Sequence, residues 1–204
     1  YLTTQSTRST IMLILIDNGH GENTPGKRSP DGSVMEWKWN RDVAIDIERI
    51  LTKKGYNAQR FVVGDYDTPL RDRVAIVNER CRKLGSNNVI LISVHVNAAG
   101  NGSQWLNAKG WSVFVGNNAS AASKRLAECV YDEVDAKGWK TRKPMPNQKY
   151  WQQSLAMCRD THCPAVLIEN FFMDNREDAA FIAKEENKYA IAEAIASGIE
   201  DYLA

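Results

Sequence analysis

The sequence predicts an α/β fold: a single three-layer domain in which a mostly parallel, twisted sheet of about five to six strands is flanked by helices. Short apolar runs alternate along the chain with segments of helical periodicity, which is the pattern of such a layered fold. Continuous apolar runs such as Ile-Leu-Ile-Ser-Val at residues 90–94 are typical of strands covered on both faces. With 204 residues, 43% of them hydrophobic, the chain is long enough to bury one large core.

Five strands are expected where apolar runs stand between polar or glycine-rich segments. They cover residues 11–16, 58–63, 89–95, 111–115 and 165–168. Four longer segments have apolar residues at helical spacing. They are residues 37–54, a helix near residues 68–84, residues 120–136 and residues 185–203. Gly55 follows the first helix as a C-cap, and Thr68 and Pro69 are the expected N-cap and first residue of the second.

The charge balance argues against nucleic acid as the main partner. Lys and Arg total 26 and Asp and Glu total 25, which leaves a net charge of +1, whereas phosphate binding needs a basic surplus. No apolar run approaches the 18 residues of a membrane span. Four cysteines in a chain of this length are expected to be free thiols. Residues 1–11, without a signal-peptide pattern, are interpreted as a polar extension or a remnant of expression, and the domain as residues 12–204.

Chemically useful residues follow three of the predicted strands. His20 lies in Asp-Asn-Gly-His-Gly-Glu after the first strand, His95 ends the third strand in Ser-Val-His-Val-Asn-Ala, and Glu169 ends the last. Ligands of open α/β sheets bind beyond the carboxyl ends of the strands. Two of the three histidines therefore stand where a ligand is expected, which favours a metal site over two structural histidines.

The third metal ligand is expected to be a carboxylate, because two histidines and one glutamate form an established zinc set. Glu22 follows His20 by only two residues, a spacing at which both side chains bind one ion awkwardly. Glu36 begins a helix after a loop that can fold over the strand ends, so it is the preferred ligand. Glu169 on a buried strand end is costly without a role, and it is the candidate general base and general acid.

These motifs resemble those of the zinc-dependent N-acetylmuramoyl-L-alanine amidases. Members have Asp-Pro-Gly-His-Gly at the first histidine, a Glu at a helix start, Ser-Ile-His-x-Asn-Ala at the second histidine and Pro-Ala-Val-Leu-x-Glu near the end. The counterparts here are residues 17–21, Glu36, 93–98 and 164–169, with further matches at residues 70–73 and 171–175. The resemblance covers about residues 12–203. Asn18 replaces the usual proline and leaves His20 in place.

The resemblance implies a peptidoglycan hydrolase that cleaves the amide between N-acetylmuramic acid and L-alanine of the stem peptide. It implies that residues 12–204 are an amidase catalytic domain, that His20, Glu36 and His95 bind Zn²⁺, and that Glu169 is the catalytic acid and base. Two alternatives stay open: a non-catalytic relative that binds peptidoglycan or zinc, and a zinc metallopeptidase that cuts within the stem peptide. Glu169 favours an enzyme, since a binder has no need of a carboxylate there.

Two residues outside the metal site are expected to bind substrate. Arg142 lies in residues 137–149, which contain five basic residues and no acidic one, and a guanidinium can bind a stem-peptide carboxylate through two hydrogen bonds. Asn97 follows the second histidine of the family motif. A solvated loop is the alternative interpretation of residues 137–149.

Several other residues have weaker interpretations. Trp37 and Trp111 are expected in the core, whereas Trp105 and Trp139 lie in loops, where they either pack or stack on substrate. The spacing of Cys158, His162 and Cys163 matches no zinc pattern, and His162 is expected in a loop near the site.

The expected partner is peptidoglycan, without nucleic acid or membrane, and the protein is expected to be a monomer. Because peptidoglycan lies outside the cytoplasm, the protein is either secreted or periplasmic, or a phage lysin that is released at lysis. The single domain and the absence of a signal favour the lysin.

Overall fold

The computed structural model describes residues 12–204. The proposed extension at residues 1–11 lies outside the described residues. The elements, in chain order, are β1 (Leu13–Asn18), α1 (Glu36–Lys53), β2 (Asn57–Arg60), α2 (Leu70–Leu84), β3 (Val89–Asn97), β4 (Ser112–Val115), α3 (Ala121–Asp135), β5 (Trp151–Gln152), α4 (Ala156–Arg159), β6 (Ala165–Phe172), α5 (Arg176–Ile182) and α6 (Glu185–Leu203).

One six-stranded sheet forms the middle layer, with the strand order β2-β1-β3-β6-β4-β5. All neighbouring pairs are parallel except β4 and β6, which are antiparallel. Helices α1, α3 and α6 contribute to a core cluster on one face, and α2 and α4 contribute to a second cluster on the other. The predicted three-layer α/β domain with a mostly parallel sheet is confirmed.

The alternation of side chains along β1 shows why its first four residues are all apolar. Ile14 and Ile16 belong to the larger cluster under α1 and α6, whereas Leu13 and Leu15 belong to the smaller cluster under α2. Successive side chains of a strand point to opposite faces. Where a strand has a core on each side, successive residues are therefore apolar, as a continuous apolar run predicts.

Several predicted boundaries are wrong. β2 ends at Arg60, and Val63, which the prediction included, is 74% exposed. Helix α2 begins at Leu70 with Pro69 as its N-cap residue, so Thr68 is not the N-cap. The sequence does not predict β5, α4 or α5, because elements of two, four and seven residues are too short to show a period.

The tryptophans are only partly where the sequence predicts them. Trp111 is fully buried, but Trp37 is half-buried, and Trp39 is the tryptophan of α1 in the core. Trp139 packs edge-on against Phe171, with ring centroids 6.3 Å apart. All four cysteines are free thiols. Within residues 12–204, no helix has the length and hydropathy needed to cross a membrane.

Candidate metal centre

His20 and His95 meet because β1 and β3 are parallel neighbours in a fixed register. Asn18 pairs with Val94, and the Gly19 amide continues the ladder by donating to the Val94 carbonyl at 3.0 Å. The two imidazole rings stand perpendicular, with centroids 5.1 Å apart. A Cβ atom on Gly19 would lie 2.0 Å from Cε1 of His95, so only glycine leaves room for this ring.

Glu36 is the first residue of α1 and reaches both histidines. Its amide donates to the Lys27 carbonyl at 3.0 Å, which anchors the helix start over the strand ends. Its Oε1 lies 3.4 Å from Nε2 of His20 and 3.2 Å from Nδ1 of His95. Oε1 also accepts a hydrogen bond from the Val96 amide at 3.2 Å.

The three side chains form a compact donor set. One ligand atom from each of His20, Glu36 and His95 lies within 4.8 Å of the others. Glu36 Oε2 is buried and has no hydrogen-bond partner among residues 12–204, so a carboxylate oxygen stays available. Two imidazoles and a carboxylate fit the donor preference of zinc. Glu22, the alternative ligand, is exposed and is not in the cluster.

The protonation of the histidines differs. Burial lowers the pKa of His20 to about 4, so this imidazole is neutral at pH 7, as a metal ligand must be. Burial also opposes the charge on His95, but its contact with Glu36 and the charges of Glu169 and Glu36 raise its pKa. Burial likewise opposes the charge on Glu36, and the hydrogen bond with His95 and the nearby cationic groups outweigh it and lower the pKa of Glu36.

Glu169 is on β6, next to the cluster of His20, Glu36 and His95. It pairs with His95 in the parallel register of β3 and β6, so the two side chains share one face of the sheet. Its Oε2 is buried without a hydrogen-bond partner among the described residues. Burial, reinforced by the charge of Glu36, raises the pKa of Glu169 to about 7. A carboxyl group with a pKa near neutrality is suited to both accept and donate a proton.

Arg142 and Asn97 also lie toward this edge of the sheet. The Arg142 guanidinium stands 4.8 Å from the ring centroid of Phe172 and 5.7 Å from that of Trp151. Phe172 pairs with Asn97 across β6 and β3. No salt bridge to Arg142 is present within residues 12–204, so its charge is available to a ligand.

The expectation that His162 lies near the site is wrong. His162 precedes β6 and lines a cavity at the amino end of this strand together with Cys158, Cys163 and Pro164. Glu169 is the fifth residue of β6, and a strand rises about 3.3 Å per residue. The length of the strand therefore separates His162 from the metal cluster.

Sequence reasoning missed the side chains that hold the backbone of the two histidines. Asn170 Nδ2 donates to the His95 carbonyl at 2.9 Å, and its Oδ1 accepts from Nε1 of Trp111 at 2.9 Å. Arg41 and Arg73 donate to the His20 carbonyl. A signal was present, because Arg73 belongs to the Leu-Arg-Asp-Arg motif and Asn170 directly follows Glu169, but neither residue type alone predicts a contact with a backbone oxygen.

The chain is similar in sequence to known cell-wall hydrolases. An endolysin of Bacillus phage SPP1 is 28% identical over 192 residues, which cover 94% of this chain and 66% of the endolysin. The N-acetylmuramoyl-L-alanine amidase AmiC of Neisseria meningitidis serogroup B is 24% identical over 230 residues, which cover 94% of this chain and 52% of AmiC. The chain thus spans about half to two thirds of the length of these curated relatives.

The fold is shared with solved amidase structures. The crystal structure of an N-acetylmuramoyl-L-alanine amidase from Clostridium difficile 630 superposes with a TM-score of 0.83 at 27% identity, covering 96% of this chain and 98% of that one. The catalytic domain of the amidase CwlV from Bacillus (Paenibacillus) polymyxa var. colistinus has a TM-score of 0.78 at 24% identity, covering 95% and 98%. The sequence model of the family Amidase_3, N-acetylmuramoyl-L-alanine amidase, matches residues 14–201. This match extends over almost the whole chain, which therefore belongs to the N-acetylmuramoyl-L-alanine amidase family.

Proposed function

We propose that the protein is a zinc-dependent amidase that hydrolyses the bond between N-acetylmuramic acid and L-alanine of the peptidoglycan stem peptide. The observation that carries this proposal is the convergence of His20, Glu36 and His95, with Glu169 beside them on the same face of the sheet. Membership of the amidase family supports the bond and the substrate class. Residues 12–204 then form the catalytic domain.

The metal would be held by His20, Glu36 and His95. Zinc supplies a Lewis acid that polarises the scissile carbonyl and makes water more acidic. The protein contributes the geometry: the register of β1 and β3 places both imidazoles, and the start of α1 places the carboxylate.

Glu169 would move the proton. Its buried oxygen accepts a proton from the attacking water and returns it to the L-alanine nitrogen, which leaves as an amine rather than as an unstable amide anion. The raised pKa of Glu169 suits both halves of this transfer. A protein that only binds peptidoglycan gains nothing from an unpaired buried carboxylate, which is costly to keep.

Arg142 and Asn97 would bind the substrate beside the metal. The Arg142 guanidinium is stacked against Phe172 and Trp151, so it is positioned for a stem-peptide carboxylate. The Asn97 side chain comes two residues after His95 at the end of β3. Its Oδ1 accepts from the Ala98 amide at 2.9 Å, and its Nδ2 would donate to the substrate backbone. Because peptidoglycan lies outside the cytoplasm, the protein would act there as a monomer, either after secretion or after release at lysis.

The decisive experiment is mass spectrometry of purified muropeptides after digestion, with and without a chelator of zinc. The amidase reaction releases a peptide with a free L-alanine amino group and leaves a free lactyl carboxylate on the sugar. A metallopeptidase would leave L-alanine attached to muramic acid, and a binding protein would give no product. Products that form equally well after complete removal of zinc would contradict the metal mechanism.

A further inference from the structure

The backbone of His20 adopts a conformation that side chains rarely adopt. Its φ angle is +62°, in the left-handed region, which is unfavourable for a residue other than glycine. Such a conformation persists only when its surroundings hold it. Since the direction of the imidazole depends on this backbone angle, whatever holds the backbone also directs the proposed metal ligand.

Three successive carbonyl groups of this loop are held by buried side chains. The carbonyl of Asn18 accepts a hydrogen bond from Arg73 Nη1 at 2.7 Å, and that of Gly19 accepts one from Asn40 Nδ2 at 3.0 Å. The His20 carbonyl accepts from Arg41 Nη1 at 3.0 Å and from Arg73 Nη2 at 3.3 Å. Two guanidinium groups therefore bind the one carbonyl that belongs to the strained residue.

Arg73 uses all its hydrogen-bonding capacity in this place. A guanidinium has five N–H donors, and five acceptors surround this one, whose side chain is only 2% exposed. They are the carbonyls of Thr68, Asn18 and His20 and the Oδ1 atoms of Asp17 and Asp67. Asp17 is itself buried and accepts from Ser93 Oγ at 2.6 Å. The planar fork of Arg73 thus joins α2 to the His20 loop at fixed angles.

Arg41 links the same carbonyl to α1, the helix whose first residue is Glu36. It lies on α1, five residues after Glu36, and its Nη1 also donates to the Trp37 carbonyl at 3.0 Å. Its Nε and Nη2 donate to the Gly64 carbonyl at 3.0 and 2.7 Å. A shift of α1 would therefore move Glu36 and the His20 carbonyl together, which preserves their relative position.

We propose that Arg73 and Arg41 are positioning residues for the metal: they hold His20 in the left-handed conformation that turns its imidazole toward Glu36 and His95, and thereby set the affinity for zinc. This inference rests on the proposed function only in taking zinc as the ion. It assigns no chemical step to either arginine.

The test compares the zinc dissociation constants of variants by competition with a chromophoric chelator. Arg73→Lys keeps the positive charge beside Asp17 but has one nitrogen and no planar fork, so it cannot reach all five acceptors. We expect zinc binding about 10- to 100-fold weaker, the range for residues that orient metal ligands. Arg41→Lys should weaken binding in the same direction, and it remains informative if Arg73→Lys does not fold.

Two controls separate positioning from general stability. Arg71→Lys makes the same substitution two residues away on α2, where the arginine side chain is 88% exposed, and should leave zinc affinity unchanged. Val77→Ala shortens a fully buried side chain of α2 in the smaller core cluster, so it should lower the unfolding temperature and leave the affinity of the folded protein unchanged.

The outcomes are distinct. If the folded Arg73→Lys and Arg41→Lys variants bind zinc within twofold of the unsubstituted protein, the inference is wrong, even if both unfold at a lower temperature. If Val77→Ala weakens zinc binding as much as they do, the effect is one of stability and the inference is also wrong. If the unsubstituted protein itself binds no zinc, the proposed function fails first and this inference fails with it.

Discussion

Glu169 lies directly opposite His95 in the register of two parallel strands, β6 and β3. The proposed proton carrier and a proposed metal ligand thus occupy neighbouring positions on one face of a rigid sheet, rather than on loops. The β3–β6 pair lies in the interior of the sheet, with β1 on one side and β4 on the other. This placement fixes the distance between the two groups, which acid–base chemistry at a metal site requires.

Replacement of Glu169 by Gln should abolish most of the turnover. The amide keeps the shape of the side chain but has no basic oxygen, so we expect kcat on muropeptides to fall by roughly 10²–10⁴-fold, the usual contribution of a positioned acid or base. Zinc content by mass spectrometry and the circular dichroism spectrum should not change. Loss of zinc would instead make Glu169 a ligand, and undiminished cleavage would refute its assigned role.

The same substitution should stabilise the metal-free protein at alkaline pH. Because the pKa of Glu169 is raised from 4.5 to about 7 in the folded protein, the folded state binds this proton more tightly than the unfolded state does. The resulting stabilisation is complete below pH 4.5 and is lost as the pH rises through 7. The Glu169→Gln variant has no buried carboxylate that ionises, so it does not lose this stability as the pH rises.

The measurement is urea denaturation of the two metal-free proteins at pH 4 and at pH 8. Part of the Glu169 side chain remains accessible to water, so we expect Glu169→Gln to gain on the order of 1–2 kcal/mol relative to the parent between the two pH values. The solvent-exposed Glu177→Gln serves as a control, for which we expect no comparable gain. An equal response of both variants would contradict the assigned cause.

The approach of His20 and His95 to each other could be predicted from the sequence, because it depends on strand ends. His20 and His95 follow continuous apolar runs, and parallel strands bring their carboxyl ends to one edge. The register of β1 and β3 places Gly19 against the His95 ring, and this contact cannot be read from the sequence. The sequence left two candidates, Glu22 and Glu36, for the third ligand. The proximity of Glu36 to both imidazole rings depends on the folding of the irregular loop before α1.

Other features could not be predicted because they depend on tertiary contacts. The contact of Arg73 with the His20 carbonyl joins residues 53 positions apart, and no periodic pattern encodes it. The predicted location of His162 was wrong because this residue precedes β6, whereas Glu169 is the fifth residue of that strand. The prediction that Trp37 lies in the core was wrong because α1 contains two tryptophans, and only packing decides which of them is buried.

A methyl group on Gly19 should disrupt zinc binding. The added Cβ would lie 2.0 Å from Cε1 of His95, far inside van der Waals contact, so the imidazole must turn away from Glu36. We expect the parent protein to contain about one zinc per chain and Gly19→Ala to bind zinc at least tenfold more weakly. Gly64→Ala is the matched control, since no heavy atom of residues 12–204 beyond its chain neighbours lies within 4 Å of a Cβ at that position. Equal zinc dissociation constants for all three proteins, measured by competition with a chelator, would contradict the role of Gly19.

Arg142 provides the test of substrate binding. Its guanidinium lies 4.8 Å from the Phe172 ring centroid, and a charge-assisted hydrogen bond to a carboxylate contributes about 1.5–3 kcal/mol when partly shielded from water. Arg142→Ala should therefore raise KM for muropeptides by about tenfold or more, and lower kcat much less, because the contact acts on the bound substrate and on the transition state alike. Lys143→Ala, an exposed neighbour in the same basic segment, should have little effect.

Changing the substrate as well as the protein tests whether Arg142 binds a carboxylate of the stem peptide. If Arg142 binds a stem-peptide carboxylate, a muropeptide whose carboxylates are amidated should already have a raised KM with the parent protein, and Arg142→Ala should raise it little further, since the contact is then missing on both sides. Arg142→Lys should recover only part of the affinity for the acidic substrate, because an ammonium group cannot form two parallel hydrogen bonds with a carboxylate. If Arg142→Ala and the parent protein have the same KM for the acidic muropeptide, residues 137–149 are a solvated loop. If Arg142→Ala raises KM equally for both substrates, Arg142 acts by packing on Phe172 rather than by binding a carboxylate.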